Sequence, residues 1–207
     1  GVIMEYDIVV NSPNYTKRKR KVTKGIILHS TRGGAPLGQE YTGTLNWFMN
    51  PGSYVSAHVV ISYAGEIASV IPDEWVAWHA KSYNQEWLGV ELEQPNLGDL
   101  ISPAQYQKLS EWCRDMAEKY QFPLDVDHLV EHWQIDPQKS DIGPPFQIQQ
   151  LMLLANYLGD QQRILTALDV LWSYAQKVRC LSEVSCLEME SAIVAVKEEL
   201  GLQAPME

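Results

Sequence analysis

The sequence predicts an α/β domain: a central mixed β-sheet flanked by helices, followed by a helical C-terminal extension. Three observations carry this reading. The runs KGIILHS and EWLGVELEQ have the length and β-branched composition of buried strands. The run ISPAQYQKLSEWCRDMAEKYQFP has helical apolar spacing between a start and a stop signal. The order strand, helix, strands, helix, then further helices is that of a layered mixed domain.

Each element follows from local chemistry. In KGIILHS, side-chain alternation puts Ile27 and His29 on one face and Ile26 and Leu28 on the other. His29 ends the strand, before the flexible STRGGAPLG loop, where α/β sheets usually carry their chemistry. TGTLNWFMNPG predicts a short helix from Thr42 or Thr44, stopped by Pro51-Gly52. SAHVVISYAGEIASVIP predicts a hairpin turning at Ala64-Gly65. In EWLGVELEQ, Val90 and Leu92 share one face while Glu91 and Glu93 share the other, so solvent or function must compensate two acids. Ser102, Pro103 and Gln105 form a helix start, and Tyr106, Leu109, Cys113, Met116 and Tyr120 form its apolar stripe. A further helix is expected near Gln147–Leu158, closed by Gly159. From Asp160 two amphipathic patterns follow, one with Leu165, Leu168, Trp172 and Ala175, the other with Met189, Ile193, Val196 and Leu200. The expected division is therefore a domain over 1–159 and an extension over 160–207, which either packs on the domain or acts as a targeting module.

Bulk properties exclude several classes. A net charge of −10 over 207 residues makes nucleic acid a poor partner. No apolar run reaches the roughly 20 residues that span a bilayer, so no membrane insertion is expected. The opening GVIMEYDIVV lacks the basic start of a signal peptide. The basic run Lys17–Lys21 reads either as a solvated loop or edge strand, or as an anchor for an anionic surface such as a wall polymer. Cys113, Cys180 and Cys186 do not make a disulfide framework; an oxidising compartment would allow the last two to pair, and a reducing one would leave them as small apolar residues. Oligomeric state is not encoded in any of these features.

The polar residues outside helical stripes are the chemical candidates. EHWQIDPQKSDIGPPF places His132, Lys139 and Asp141 on one segment stiffened by Pro137, Pro144 and Pro145. With His29, two histidines and a carboxylate suffice for catalytic zinc, which keeps one position open. Glu91 then serves as a proton-transferring base and Lys139 as an oxyanion stabiliser. Spacing by itself leaves this beside the plainer reading, in which each histidine is a satisfied structural residue.

Four stretches, in order, carry a resemblance: SPNYTKRKRKVTKGIILHST, TLNWFMNPGSYVSAHVVISYAGEIASVIPDEWVAWHA, LGVELE and HWQIDPQKSDIGP. Over roughly residues 12–158 the chain resembles the zinc-dependent N-acetylmuramoyl-L-alanine amidases of the amidase-2 family, relatives of the peptidoglycan recognition proteins. The resemblance implies that fold, with Zn2+ on His29, His132 and Asp141. It implies Glu91 as general base and Lys139 as oxyanion stabiliser, and His58, His79, Trp78 and Asn84 as residues lining the substrate site. Trp47 and Trp87 also fall near the implied cleft, and Glu93 faces solvent or supports the site. Two departures stand out. Ala57 occupies the place of a tyrosine found in some phage amidases, and Ile142 replaces the proline that often follows the aspartate ligand.

The implied partner is bacterial peptidoglycan, and the implied reaction is hydrolysis of the bond between N-acetylmuramic acid and L-alanine. The leading expectation is a phage or prophage endolysin, held in the host cytoplasm before lysis and acting on the wall after release. A cytoplasmic muropeptide-recycling amidase and a non-catalytic peptidoglycan-binding module are the alternatives. The short STRGGAPLG loop speaks against the former, and an intact ligand set with Glu91 against the latter.

Overall fold

A computed structural model describes residues 5–144 and 146–157. The chain divides at Asn156, and the expected C-terminal helices, Pro145, Cys180 and Cys186 lie outside the described residues.

The elements run β1 (Ile8–Val9), β2 (Tyr15–Thr16), β3 (Gly25–Ser30), α1 (Gln39–Met49), β4 (Val59–Ile61), β5 (Ile67–Ser69), β6 (Val76–Ala77) and β7 (Trp87–Leu92). They continue with α2 (Pro103–Tyr120), β8 (Leu129–Glu131), α3 (His132–Ile135) and α4 (Ile148–Tyr157). Six strands form one mixed sheet in the order β1-β5-β4-β7-β3-β8, and β2 pairs with β6 apart from it. Only the β4–β5 hairpin is antiparallel within the large sheet. It turns through Gly65 at φ 90°, which suits glycine, with Ser62 and Glu66 closing the turn.

The two strands read from the sequence sit at the centre as neighbours. β3 and β7 pair in parallel from Gly25↔Trp87 to Ser30↔Leu92. Ile26, Ile27, Leu28, Leu88, Val90 and Leu92 are fully buried, as expected for a parallel sheet covered on both faces. β8, only three residues long, is too short to carry a periodic signal and was not expected; it pairs with β3.

α2 forms as the sequence dictates. Both arms of the Ser102–Gln105 capping box are made, Pro103 opens the helix, and Gln121 ends it in the left-handed conformation. α1 starts at Gln39, earlier than Thr42 or Thr44. The reason is a cap from elsewhere in the chain: no side chain of its own N-cap, Gly38, is available, and Glu93 accepts hydrogen bonds from the backbone N–H groups of Gly38 and Tyr41. A carboxylate at a helix N-terminus meets both the free N–H groups and the helix dipole. Glu93 is buried rather than facing solvent, and it also accepts from Tyr63 N at 2.8 Å.

The basic run is split by the fold. Lys17, Arg18, Lys19 and Lys21 are exposed, whereas Arg20 turns inward to donate to the Trp75 carbonyl at 3.0 Å and lies over the Tyr120 ring. Ala57 is fully buried in a cluster with Tyr41, Leu45 and Phe48.

Candidate active site

The C-terminal ends of β3 and β7 and the start of α3 meet at the floor of a cleft of about 650 Å³. Register does the first part of the assembly. His29 stands opposite Glu91 on the neighbouring parallel strand, so the two side chains emerge side by side on the same face. β8 then delivers His132, the residue immediately after its last.

Asp141 arrives on the segment that follows α3, and several contacts fix it there. Trp133 N donates to the Asp141 carbonyl at 3.1 Å. Glu131, whose side chain helps cap α3, accepts from Gly143 N at 3.1 Å and Trp133 Nε1 at 2.9 Å. Arg32, just past β3, donates through Nη2 to the Ile142 carbonyl and through Nε to Ser30 Oγ at 2.8 Å. Ile142 itself is fully buried. Asp136 shapes the turn that carries Lys139: Gln138 N donates to its side chain at 3.1 Å and Lys139 N to its carbonyl at 2.9 Å. Lys139 is exposed and lines the cleft.

His29 Nδ1, His132 Nδ1 and Asp141 Oδ2 converge. The nitrogens are 2.9 Å apart, and the carboxylate oxygen lies 3.2 Å from His29 and 2.9 Å from His132. Ligands held at roughly 2.0–2.1 Å in a tetrahedron around zinc lie about 3.3 Å from one another. The triangle is therefore close to one face of that tetrahedron, and two imidazoles with one carboxylate are a donor set that zinc accepts. Among the described residues, these three form the group able to hold a metal ion.

Electrostatics match the geometry. Burial lowers His29, against the opposing pull of Asp141, and so favours the neutral ring a ligand needs. Burial raises Asp141, but its close contacts with His132 and His29 outweigh it and hold the carboxyl below the usual range. Glu91 is the opposite case. Burial, then the nearby Asp141 charge, pushes it well above the ordinary carboxylate range. Its Oε2 is buried and meets no hydrogen-bond partner among the described residues. A buried, unsatisfied carboxylate facing a cleft is the kind of group a proton transfer uses.

The remaining expected residues separate. His79 and Trp78 line the cleft, as does the half-exposed Trp47. Trp87 instead packs edge-on with Tyr83. His58 and Asn84, expected along the substrate site, are placed in the interior. His58 is fully buried; Gly89 N donates to its Nδ1 at 2.9 Å, while Nε2 lies 2.8 Å from Arg20 Nη1 and 3.1 Å from the Trp75 carbonyl oxygen. Both ring nitrogens are thus used up. Asn84 turns its Oδ1 to the backbone N–H groups of His79 at 3.0 Å and Ala80 at 2.6 Å. The resemblance that implied them cannot distinguish a cleft wall from the support behind it.

Sequence reasoning missed Glu40, Glu131 and Arg32. Glu40 is buried at the cleft edge and accepts from Gly33 N at 2.6 Å and Ala35 N at 3.0 Å, fixing the loop after β3. Apart from the acidic first turn of α1, no local pattern marks it; its partners are backbone groups whose need for acceptors emerges only in the fold.

The N-acetylmuramoyl-L-alanine amidase family model matches residues 18–144, and the chain belongs to that amidase-2 family of amide hydrolases. It is similar to N-acetylmuramoyl-L-alanine amidase A of Achromobacter lyticus, 34% identical over 82 residues, 39% of this chain and 42% of that protein. It is also similar to the 1,6-anhydro-N-acetylmuramyl-L-alanine amidase AmpD of Salmonella typhimurium, 32% identical over 129 residues, 55% of this chain and 67% of that one. The chain thus spans about two fifths of the first relative. Among solved structures, an AmpD derivative superposes with a TM-score of 0.60 at 24% identity, covering 73% of this chain and 99% of that one. PlyL follows with 0.56 at 20% identity, covering 72% and 97%. At these identities the structures establish the shared fold.

Proposed function

We propose that this chain hydrolyses the amide between the lactyl group of N-acetylmuramic acid and the L-alanine of the stem peptide. The observation that carries the proposal is the triangle of His29, His132 and Asp141 on the floor of a cleft, beside the unpartnered carboxylate of Glu91. In this reading the triangle holds Zn2+, which, when bound, supplies Lewis-acid polarisation and an acidified water.

The chain's own groups do the rest. Glu91 takes a proton from the attacking water as the new C–O bond forms, and delivers it to the alanine nitrogen as the C–N bond breaks. Its raised proton affinity suits both halves of that relay near neutral pH, because a strongly acidic carboxylate would not return the proton. Lys139, on the Asp136 turn, extends a charge over the cleft mouth to the oxygen that becomes negative. Trp47 and Trp78 offer flat apolar surface to the sugar and peptide.

Two physiological settings suit this chemistry. The first is an endolysin of phage or prophage, held in the host cytoplasm until release and then cutting intact wall; the short loop from Ser30 to Gly38 supports it. The second is turnover of soluble anhydro-muropeptide, supported by the printed names of the Salmonella relative and its kin. Purified zinc-loaded protein should be offered intact sacculi and soluble anhydro-muropeptide in parallel, with release of peptides bearing a new N-terminal L-alanine as the readout. Faster release from sacculi selects the first setting, and faster release from the soluble fragment the second. Release from neither substrate, with zinc bound stoichiometrically, overturns the activity.

A further inference from the structure

We propose that His79 is a positioning residue for the metal site: it fixes the tautomer and the ring angle of His29 by accepting a hydrogen bond from His29 Nε2. The proposal rests on the zinc reading above and adds to it a residue outside the ligand set and the proton relay.

The argument starts from a backbone carbonyl. His79 Nε2 lies 3.3 Å from the Trp87 carbonyl oxygen. A carbonyl only accepts, so Nε2 of His79 carries the proton. A neutral ring protonated there has a bare Nδ1, which can only accept. That Nδ1 lies 3.0 Å from His29 Nε2. The hydrogen bond therefore requires the proton of His29 to sit on Nε2. Its Nδ1 is then left with a free lone pair, aimed at His132 Nδ1 and Asp141 Oδ2. One carbonyl on β7 thus dictates, through two rings, which nitrogen of His29 faces the metal position. A ligating histidine held this way through its other nitrogen is a stronger and better-oriented ligand.

The ring of His79 is in turn fixed from three sides. Asn84 Oδ1 accepts from His79 N at 3.0 Å and from Ala80 N at 2.6 Å, pinning the backbone. The ring lies flat against Gly89 of β7, where a Cβ would meet it at 2.6 Å, so glycine is required there by close approach. The ring meets His29 edge-on, at 5.1 Å between centroids and 86° between planes. Both nitrogens of His79 are committed inside the protein, so although the ring lines the cleft it has none left for substrate. That separates a positioning role from substrate binding.

Three measurements on the full-length protein test this. First, the imidazole 15N shifts of the zinc-loaded parent should place the His79 proton on Nε2; a proton on Nδ1 overturns the proposal without any variant. Second, zinc affinity by chelator competition should fall about 10–100-fold in His79→Leu, which keeps bulk and removes the acceptor. Third, His79→Asn, which retains an acceptor near the Nδ1 position, should bind zinc within about threefold of the parent, on the same tenfold-or-more scale of effect. Equal affinity in His79→Leu and the parent overturns the positioning role while leaving the zinc reading intact, as does an equal loss in both variants. A rise in KM with unchanged zinc affinity assigns His79 to the substrate instead. If the parent itself binds no zinc, the metal reading fails and the role of His79 fails with it.

Discussion

On the floor of the cleft, His29 and Glu91 stand opposite each other on paired strands, inside a ladder that runs from Gly25↔Trp87 to Ser30↔Leu92. On the arm that completes the site, Asp141 and Lys139 stand on a segment with no ladder, held by single hydrogen bonds to Glu131, Trp133 and Arg32. The floor is fixed by cooperative backbone pairing and a fully buried apolar layer. The arm is fixed by a few separate hydrogen bonds and by the buried Ile142. Two ways of holding a functional group are thus set side by side, and they differ in what a mutation should do. Apart from the ligand His29, changes on the floor should alter chemistry or global stability, while changes to the ties of the arm should alter metal affinity.

The largest effect belongs to the floor. Glu91→Gln should lower the amidase rate by about 10²–10⁴-fold, because the carboxylate that moves the proton is gone. Zinc content and unfolding midpoint should stay near those of the parent, since Glu91 Oε2 makes no contact that the variant breaks. Full activity in steady-state hydrolysis would remove Glu91 from the proton relay. Next in size is Glu93→Ala, just beyond the end of β7. It strips a buried acceptor from Gly38, Tyr41 and Tyr63, and should cost on the order of 3–5 kcal/mol, read from urea unfolding. A loss within experimental error would mean that water replaces the cap.

The same contrast explains what was legible in the sequence. β3, β7, α2 and the hairpin were readable because alternation, a capping box and a glycine turn are local signals. His29 and Glu91 were singled out from the strands alone. Their register was not, because nothing within KGIILHS names its neighbour in the sheet. His132, Lys139 and Asp141 stood out as a polar group on a proline-braced segment, but their assignment leaned on family resemblance. The braces that position them, Glu131 and Arg32, were invisible, since each serves a backbone group far away in sequence. Which of its two readings held for Glu93 was invisible for the same reason: its partners lie 55 and 30 residues away. His58 and Asn84 were placed along the substrate site by the resemblance, whereas both are buried behind its wall.

A pH experiment sharpens the comparison on the floor side. Burial, with Arg20 beside it, pushes His58 down to about 3. The unfolded chain takes up a proton on this ring near pH 6.5 and the folded chain does not, so the unfolded state binds more protons between those values. Stability contributed by neutral His58 is therefore complete above pH 6.5 and is lost as pH falls towards 3. His29 and His79 act in the same direction, and Glu91, raised in the fold, acts against them. Comparing a single variant with its parent isolates one ring. Between pH 5.5 and 4.5 the unfolding free energy of the parent should fall more steeply than that of His58→Asn, by about 1.4 kcal/mol per pH unit. Parallel slopes would mean that His58 protonates in the folded protein.

The smallest expected effect lies on the arm and tests whether its ties act singly. Arg32 bridges the end of β3 to the ligand segment, with Nε on Ser30 and Nη2 on the carbonyls of Ile142 and, at 3.5 Å, Ser140. Arg32→Met preserves the stem and removes the donors. The core is untouched by it, so the melting temperature should move by no more than about 2 °C, the shift of a surface change. Asp141, by contrast, is left on a segment tied only through Glu131 and Trp133, and zinc affinity should fall roughly tenfold, the lower end of the range for groups that orient a ligand. Arg32→Lys should not restore it, because an ammonium cannot hold Ser30 and the two carbonyls in one planar fork. If instead zinc binds Arg32→Met as tightly as the parent, Glu131 and Trp133 suffice to place the carboxylate. If the melting temperature falls with the affinity, the arm is part of the same cooperative unit as the floor, and the distinction between the two disappears.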